Sequence, residues 1–324
     1  MSTDTAQSPQ LSESGKLRHL LRLEGLSREF ISALLDKAES YQVPMGEPPR
    51  RDTVLKGRTV ANLFFEPSTR TRASFELAAK RLSADVLNLD VNMSSRIKGE
   101  SLLDTIYTLQ AMQVDVFVVR DASSGIPDFI TKHLQPHVSV LNAGEANISH
   151  PTQGLLDLLT IRQAKKTLDG LTVTIVGDIA HSRVARSVAE GLRIMGDNHL
   201  RLVSPRGLEP DADAYPDAEI SHDIDKAIQG ADVIMALRIQ RERIKEKSNL
   251  MTNHEYLQGY GLTEARIEQA KADAIVMHPG PMNRDVEIAG PVADGPKSVI
   301  TRQVYNGLAV RMAVLAAVIE TRNT

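Results

Sequence analysis

The segment VANLFFEPSTRTRASFELAAKRL, residues 60–82, contains the pattern that decides the fold. Its opening run at 60–65 is mostly apolar, which predicts a buried strand, and Pro67 ends that strand. From Phe75 onward, apolar residues recur at i, i+3, i+4 and i+7, which is the spacing of one face of a helix. A buried strand followed by a turn and an amphipathic helix is typical of an α/β domain with a parallel sheet.

The same alternation of strand and helix continues along the chain and starts afresh after Gly170. Further strands are predicted at 86–91, 114–119 and 138–142 in the first half, and at 173–176, 200–203, 233–237 and 275–277 in the second. We therefore predict an α/β protein of two similar domains, each a parallel sheet flanked by helices. The first domain is expected at 15–150 and the second at 151–303. The last helix, at 304–321, is expected to pack back on the first domain.

Composition excludes several classes of protein. The chain has 38 Lys and Arg residues against 41 Asp and Glu residues, and a net charge this near zero does not indicate nucleic acid or membrane as a partner. The absence of Cys rules out disulfides, thiolate metal sites and a cysteine nucleophile. No apolar run reaches the roughly 18–20 residues of a membrane helix, and the polar first residues lack a signal-peptide pattern. We expect a cytoplasmic globular protein.

One pair of histidines has a spacing that is compatible with a metal site. His133 and His137 are four residues apart, which could place two ligands on one helix face, but Pro136 interrupts the turn. No third ligand lies at a useful spacing. We expect no metal ion and no cofactor.

Ser68, Thr69, Arg70 and Thr71 cluster at the predicted start of the helix in the opening segment. A helix start offers free N–H groups and the positive end of a dipole, and the hydroxyls and guanidinium add donors for a phosphate dianion. An ordinary capped helix with surface arginines would explain Ser68 but not the doubled Thr-Arg step that follows it. The segment lacks the glycine-rich frame of a P-loop, so the pattern favours a phosphate that does not belong to a nucleoside triphosphate.

Three more polar residues follow predicted strands of the first half. Arg120 ends the apolar run at 114–119, where ligands sit in α/β sheets, although a solvated arginine at a strand end is the plainer alternative. His150 and Gln153 are three residues apart at a predicted helix start, so both can face one ligand. A lone His is more often structural, and that alternative stays open on these residues alone.

The second half has its own basic residues after predicted strands. Only Gly177 follows the strand at 173–176, so the Gly-x-Gly-x-x-Gly pattern of dinucleotide binding is not met. Arg183, near a helix start, instead suits a carboxylate. Arg238 and Gln240 are two residues apart and would point to one face in an extended stretch, while a basic surface loop is the alternative.

The motif Phe-x-x-x-Ser-Thr-Arg-Thr-Arg at 64–72 resembles the carbamoyl-phosphate signature of the transcarbamylases, the family of aspartate and ornithine carbamoyltransferases. The resemblance covers 17–319, with the motifs in family order, and it implies an active site in the cleft between the two domains. It implies that Thr71, Arg120 and His150 donate hydrogen bonds to the carbamoyl oxygen and that Gln153 holds the carbamoyl amide. The implied carbamoyl-phosphate residues are Ser68, Thr69, Arg70, Thr71, Arg120, His150 and Gln153, and the implied catalytic residues are Arg70, Thr71, Arg120 and His150.

A polar loop at 92–101 reads, on composition alone, as a solvated loop. Its Lys-Gly-Glu-Ser sequence is similar to the family loop that reaches into the active site of the neighbouring subunit. The resemblance implies that Ser94 and Lys98 contact phosphate and the substrate carboxylate from the adjacent subunit. It also implies a homotrimer, in which an isolated monomer would be inactive.

The second half resembles the aspartate branch of the family more than the ornithine branch. The sequence Leu-Arg-x-Gln-x-Glu-Arg at 237–243 is similar to the segment whose Arg and Gln hold the aspartate carboxylates. The loop at 278–284 resembles the family's His-Pro-x-Pro loop, which implies backbone carbonyl contacts from Gly280 and Pro281 and a framing role for Arg284. The implied aspartate-binding residues are Lys98, Arg183, Arg238, Gln240, Gly280 and Pro281. The Cys-containing loop and the Ser-Met-Gly segment of the ornithine enzymes are missing.

The resemblance implies a catalytic chain that joins carbamoyl phosphate to L-aspartate, giving N-carbamoyl-L-aspartate and phosphate in de novo pyrimidine biosynthesis. One alternative is a transcarbamylase for another acceptor, such as ornithine or an acylated ornithine. A second is an inactive scaffold subunit of a pyrimidine complex. The segments at 177–183 and 280–284 resemble members that assemble with dihydroorotase or a dihydroorotase-like chain, so such a partner is a further expectation.

Overall fold

The computed structural model describes residues 9–89, 101–240 and 251–321. The chain forms two units, of which unit 1 comprises Met1–Leu155 and Asn306–Thr324, and unit 2 comprises Leu156–Tyr305. Each unit contains one parallel sheet flanked by helices. The predicted architecture of two α/β domains is confirmed.

Unit 1 is built on a four-stranded sheet in the order β2-β1-β3-β4, with every neighbouring pair parallel. Its strands are β1 (Thr59–Phe64), β2 (Asp85–Leu89), β3 (Val116–Asp121) and β4 (Ser139–Glu145). Its helices are α1 (Arg28–Ser40), α2 (Thr69–Arg81), α3 (Leu102–Ala111) and α4 (Ile126–Thr131). The chain leaves unit 1 within α5 (Pro151–Lys165) and returns to it within α11 (Ile300–Glu320).

Unit 2 is built on a five-stranded parallel sheet in the order β7-β6-β5-β8-β9. Its strands are β5 (Thr172–Val176), β6 (His199–Val203), β7 (Ala218–Ser221), β8 (Val233–Ala236) and β9 (Ile275–Met277). Its helices are α6 (Arg183–Met195), α7 (Ile224–Ile228), α8 (Asn253–Tyr260), α9 (Glu264–Ile267) and α10 (Gly290–Ala293). No helix in the described ranges is long and apolar enough to cross a membrane.

The apolar runs that predict strands form the cores of the two units. β3 is buried along its whole length and β1 from its second residue on, which fits central strands of a sheet covered on both faces. The helical stripe that begins at Phe75 is confirmed, because Phe75, Ala78, Ala79 and Leu82 are fully buried. In unit 2, the side chains of Val203, Ile234 and Val276 come together in one apolar cluster with residues of α7 and α10.

Several predicted strand limits are wrong by a few residues. β3 starts two residues later than predicted, and just before it the carboxylate of Asp115 accepts hydrogen bonds from Thr59 N and the Arg58 side chain. It then continues through two polar residues to Asp121, so Arg120 lies inside the strand. The strand predicted at 86–91 is observed as β2, and its last two predicted residues lie outside the described ranges.

The sequence gives no prediction for β7, which lies at the edge of the sheet of unit 2. Its four residues, Ala218–Ser221, are all exposed or half-exposed, so they form no apolar run. An edge strand with one open side does not need the continuous apolar sequence of a central strand. A search for apolar runs in the sequence therefore does not detect β7.

Candidate active site

The opening segment forms the turn between β1 and α2. Phe65 N donates a hydrogen bond to Arg120 O at 2.9 Å, which fixes the chain just beyond β1 against β3. Ser68 occupies the N-cap position of α2 in an extended conformation, with φ −160° and ψ 95°, but its side chain makes no capping hydrogen bond. The predicted cap position is confirmed, and the capping bond is not formed.

The first turn of α2 has the charge pattern of an anion site. It contains no acidic residue, and Thr69 and Arg70 are exposed while Thr71 is buried. The unsatisfied N–H groups of a helix start attract negative charge, and an acidic side chain there would compete with an incoming anion. The first turn of α2 therefore offers main-chain and side-chain donors to an anion and contains no carboxylate that would compete for them.

Arg120 lies beside the turn, because β3 and β1 are neighbours and Phe64 is in register with it. Its Nη1 donates to Ala143 O at 3.2 Å, and its Nη2 lies 3.3 Å from Glu66 Oε2. The residue is 8% exposed. The alternative of a solvated surface arginine is wrong, because this guanidinium is buried and held by a carbonyl and a carboxylate.

His150 and Gln153 lie at the start of α5. Both side chains are buried, and His150 O accepts main-chain hydrogen bonds from Gln153 N at 2.9 Å and Gly154 N at 3.1 Å. His150 therefore begins the helix, and Pro151 fits the first helical position because it needs no hydrogen-bond acceptor there.

These residues of unit 1 follow strands that run side by side. β1, β3 and β4 are parallel neighbours, so their carboxyl ends share one edge of the sheet. The turn at 66–71 follows β1, Arg120 is near the end of β3, and His150 follows β4. The sheet therefore brings the predicted residues of unit 1 to a common edge.

Two carboxylates at this edge were not identified from the sequence. Glu66 pairs with Arg120, and only the adjacency of β1 and β3 shows that the two can meet. Glu145, at the end of β4, accepts hydrogen bonds from Gly125 N at 2.5 Å and Asn142 Nδ2 at 3.2 Å. Burial raises the pKa of the Glu145 carboxyl above its ordinary value. Glu145 joins the loop after β3 to β4.

In unit 2, the buried carboxylate of Asp178 organises the loop after β5. Its Oδ1 accepts from His181 Nδ1 at 2.7 Å, and its Oδ2 accepts from Gln240 N at 3.1 Å. Gln240 Nε2 in turn donates to His181 O at 2.8 Å. Asp178 thus links the loop after β5 to the segment after β8, and it holds the main chain of a predicted ligand residue.

Arg183 and Arg238 reach this region from two different elements. Arg183 is the first residue of α6 and is 7% exposed, and the helix is capped by Ser182, whose side chain accepts from Ala185 N. β8 ends at Ala236, one residue earlier than predicted, so Arg238 lies beyond the strand. Arg238 and Gln240 are half-buried while Ile239 between them is buried, which agrees with the predicted alternation.

The lack of a side chain at Gly177 allows the segment after β5 to pack closely against the segment after β8. A Cβ at this position would lie 2.5 Å from Leu237 O and 2.9 Å from Leu237 Cβ, and its φ is +139°. Leu237 N donates to Val176 O at 2.7 Å, so the two chains run in close contact. A side chain at position 177 would push them apart.

The loop after β9 contains Gly280 and Pro281. Gly280 has φ +67°, in the left-handed region that glycine adopts readily, and the Gly280–Pro281 peptide bond is cis. Arg284 makes a two-pronged ion pair with Asp294, with distances of 2.6 and 2.8 Å, and this pairing raises the pKa of Arg284. The pair joins the loop to the end of α10.

Two predicted residues, Ser94 and Lys98, lie outside the described ranges. Within those ranges no group of three or more His, Asp or Glu side chains could hold a metal ion. His133 instead contacts the Tyr107 hydroxyl through Nδ1 at 3.2 Å and packs its ring 4.8 Å from that of Phe129.

Two family descriptions together match most of the chain. Residues 18–163 match the domain described as "Aspartate/ornithine carbamoyltransferase, carbamoyl-P binding domain". Residues 169–318 match the domain described as "Aspartate/ornithine carbamoyltransferase, Asp/Orn binding domain".

Solved structures of enzymes from two organisms resemble this chain over nearly its whole length. Aspartate transcarbamoylase from Trypanosoma cruzi in complex with carbamoyl phosphate is 32% identical, with a TM-score of 0.85, and the match covers 95% of this chain and 97% of that one. The same enzyme with aspartate and phosphate matches at 32% identity and a TM-score of 0.82, covering 93% and 94%. Ornithine carbamoyltransferase from Thermus thermophilus is 27% identical, with a TM-score of 0.82 and coverage of 93% and 99%.

Proposed function

Because the chain belongs to the aspartate/ornithine carbamoyltransferase family, we propose that it transfers the carbamoyl group of carbamoyl phosphate to L-aspartate. The products would be N-carbamoyl-L-aspartate and phosphate, as in de novo pyrimidine biosynthesis. The observation that carries the choice of aspartate is the pair of arginines in unit 2, Arg183 at the start of α6 and Arg238 after β8. Two guanidiniums match a substrate with two carboxylates.

In this proposal the phosphate of carbamoyl phosphate binds at the start of α2. The N–H groups of the first turn, the hydroxyls of Ser68, Thr69 and Thr71 and the Arg70 guanidinium would donate to its oxygens. The lack of an acidic residue in that turn supports this assignment.

The carbamoyl group would lie beside Thr71, Arg120 and His150, with its amide held by Gln153. Attack by an amine gives a tetrahedral centre with negative charge on the carbonyl oxygen, and donors aimed at that oxygen stabilise the transition state more than the ground state. The burial of Arg120 supports this role, because a charge shielded from water interacts more strongly with a developing oxyanion.

The reaction then needs no covalent intermediate on the protein. The neutral α-amine of aspartate forms the new C–N bond, the C–O bond to phosphate breaks, and the leaving phosphate accepts the proton that the amine loses. The protein supplies orientation and electrostatic stabilisation, which account for large rate enhancements without a protein nucleophile.

The acceptor would be held mainly by unit 2. Arg183, Arg238 and Gln240 would bind its carboxylates, and the carbonyls of Gly280 and Pro281 would accept from its amine. Ser94 and Lys98 would come from the adjacent subunit of a homotrimer. Gln240 N donates to Asp178 Oδ2 and Gln240 Nε2 donates to His181 O. These two hydrogen bonds fix Gln240 and support its part in this set.

A second acceptor class is kept because the Thermus thermophilus ornithine carbamoyltransferase is also similar to this chain. A free ornithine side chain carries a positive charge, which the two arginines of unit 2 would repel. An acylated ornithine lacks that charge and is the stronger competitor. A catalytically inactive scaffold subunit is the remaining alternative.

The test is transfer of the labelled carbamoyl group by the purified chain with aspartate, ornithine and N-acetylornithine in parallel, with the mass of the assembly measured on the same sample. We expect turnover with aspartate alone, by a trimer or a larger assembly that contains one. Turnover with another acceptor would refute the assignment of Arg183 and Arg238. A folded trimer that transfers to none of the three would support the scaffold alternative.

A further inference from the structure

A buried histidine and a buried glutamate hold the loop that contains Gly280 and Pro281. His278 follows β9 directly, and its side chain is fully buried, while that of Glu287 is 1% exposed. His278 Nδ1 accepts a hydrogen bond from Gly280 N at 2.8 Å, and His278 Nε2 lies 3.1 Å from Glu287 Oε1. The same carboxylate oxygen accepts from Asn283 N at 2.5 Å. The pair therefore fixes the main chain on both sides of Gly280–Pro281.

The hydrogen bonds decide the protonation of the imidazole ring. A main-chain N–H can only donate, so His278 Nδ1 is the acceptor and carries no proton. The ring proton is then on Nε2, from which it is donated to the Glu287 carboxylate. The pair consists of a neutral histidine oriented by a carboxylate, an arrangement that fixes both ring orientation and tautomer.

The histidine is also anchored from behind. His278 N donates to Gln303 Oε1 at 2.8 Å, and Gln303 Nε2 donates to Asp157 Oδ1 at 2.9 Å. All three residues are nearly or fully buried. A chain of buried, mutually oriented polar groups holds one geometry, because each group would lose its partner if the next one moved.

This network is expensive for the fold. A carboxylate that is 1% exposed loses nearly all its hydration, and Glu287 Oε2 has no hydrogen-bond partner within the described ranges. Burial, with the nearby Glu287 carboxylate as a second cause, raises the pKa of Tyr256. Apolar residues in these places would avoid both costs, so the network has a purpose other than stability.

We propose that His278 and Glu287 are positioning residues that hold the carbonyls of Gly280 and Pro281 where the acceptor amine binds. This inference rests on the proposed function, in which those two carbonyls accept hydrogen bonds from the amine. Gly280 has no side chain that could pack against its surroundings, so hydrogen bonds from Gly280 N and Asn283 N hold the main chain on either side of Gly280–Pro281.

The test compares two substitutions that keep different halves of the imidazole. In His278→Asn the side chain has a polar atom near the place of Nδ1 and can still accept from Gly280 N. In His278→Gln the polar atoms lie near the place of Nε2, and the acceptor for Gly280 N is lost. We expect His278→Gln to raise the KM for aspartate by about tenfold or more, the scale of one lost hydrogen bond that orients substrate. The KM for carbamoyl phosphate should stay within about twofold, and His278→Asn should recover most of the loss.

Thr174→Val is the matched control for a purely structural effect. Thr174 is fully buried in unit 2 and its hydroxyl donates to Ala227 O at 2.7 Å, so the substitution removes a buried hydrogen bond away from the loop. It should lower the melting temperature as His278→Gln does, and leave the KM for aspartate unchanged. An equal rise of that KM in both variants would assign His278 to stability alone and overturn the proposal.

Amide hydrogen exchange gives a reading that does not need turnover. In His278→Gln the peptide spanning 278–284 should exchange faster than in the wild type, while Thr174→Val should leave it as it was. If the wild type does not use aspartate, the proposed function fails, and the exchange result still decides whether His278 holds the loop. Unchanged exchange together with an unchanged acceptor KM in His278→Gln would refute the positioning role.

Discussion

Arg120 shows how neighbouring residues fix the position of a single buried side chain. Its guanidinium is buried, donates to Ala143 O, and pairs with Glu66. The Glu66 carboxylate compensates the Arg120 guanidinium for the water that it loses on burial. An arginine without such a partner would be solvated and could adopt several side-chain conformations. Its place after an apolar run makes Arg120 a candidate ligand, and the family resemblance implies the role. The sequence does not predict Glu66, because that requires knowing that β1 and β3 are neighbours.

At the same scale, Arg70 should act on carbamoyl phosphate alone. Arg70→Ala removes one charged donor from the start of α2, so we expect the KM for carbamoyl phosphate to rise by about 10- to 100-fold. Steady-state kinetics with each substrate varied in turn would measure it. Arg72→Ala is the control, because Arg72 is exposed on the same turn and should have little effect. Equal losses in both variants would show a general field effect rather than a contact.

Arg238 should act on the acceptor alone. Arg238→Ala should raise the KM for aspartate by about 10- to 100-fold and leave the KM for carbamoyl phosphate nearly unchanged. Arg193→Ala, an exposed arginine of unit 2, serves as the comparison and should behave like the wild type. A variant of Arg238 that spares aspartate and weakens carbamoyl phosphate would reverse our assignment of substrates to the two units.

At the scale of elements, the two close segments after β5 and β8 depend on the lack of a side chain at Gly177. Gly177→Ala would place a methyl group 2.5 Å from Leu237 O, so we expect a loss of roughly 2–4 kcal/mol in the free energy of unfolding. Gly170→Ala is the comparison, because its φ is +71° and no atom lies within 4 Å of the added Cβ. It should cost about 1 kcal/mol, the strain of the left-handed conformation alone. Denaturant unfolding would separate the two effects, and equal losses would contradict the clash.

The start of the sheet of unit 2 is held by a carboxylate whose pKa is lowered. Burial alone would raise the pKa of Asp232, but its hydrogen bonds from Lys271 at 2.7 Å and Thr172 N at 2.9 Å, with the charge of Lys165, lower it. A group whose pKa is lower in the folded state adds stability above its ordinary pKa, near 4, and loses it as the pH falls toward the lower folded value.

We therefore expect Asp232→Asn to be less stable than the wild type at pH 7 and to show a smaller further loss between about pH 5 and pH 2. Urea unfolding at several pH values would measure this difference. Asp217→Asn, at an exposed position, should keep the acid dependence of the wild type. Parallel pH profiles for wild type and Asp232→Asn would contradict the assignment.

The elements also show what a sequence reveals and what it hides. Buried strands such as β1, β5 and β8 were predicted within one or two residues, because central strands need apolar residues along their length. The edge strand β7 was missed, and β3 was misplaced where polar residues bound it. The contacts of Asp178 with Gln240 and of His278 with Glu287 join distant or folded-back segments, and no local pattern encodes them.

At the scale of the whole molecule, the proposal of a shared site predicts complementation between two inactive variants. If Lys98 acts in the site of the adjacent subunit, His150→Ala and Lys98→Ala chains should each be nearly inactive alone. An equal mixture reassociated at random should regain about one quarter of wild-type activity, because about three quarters of the trimers are mixed and each mixed trimer has one intact site in three. Activity measured after the two proteins are dissociated and reassociated together would show it. No recovery in confirmed mixed trimers would place Lys98 in the site of its own chain.

Unit 1 is discontinuous, since it needs both the first part of the chain and the segment from Asn306 onward. The two parts of unit 1 are joined by hydrogen bonds. Gln42 Nε2 donates to Asn306 Oδ1 at 2.7 Å, and Thr321 Oγ1 donates to Leu17 O at 2.7 Å. On the ribosome, the N-terminal half therefore emerges first but is completed last, after unit 2 has been synthesised in full. Until then, the apolar surface that α11 covers stays open on the nascent chain. That interval is when this protein would most need a chaperone, and a chain that stops before Asn306 would never complete unit 1.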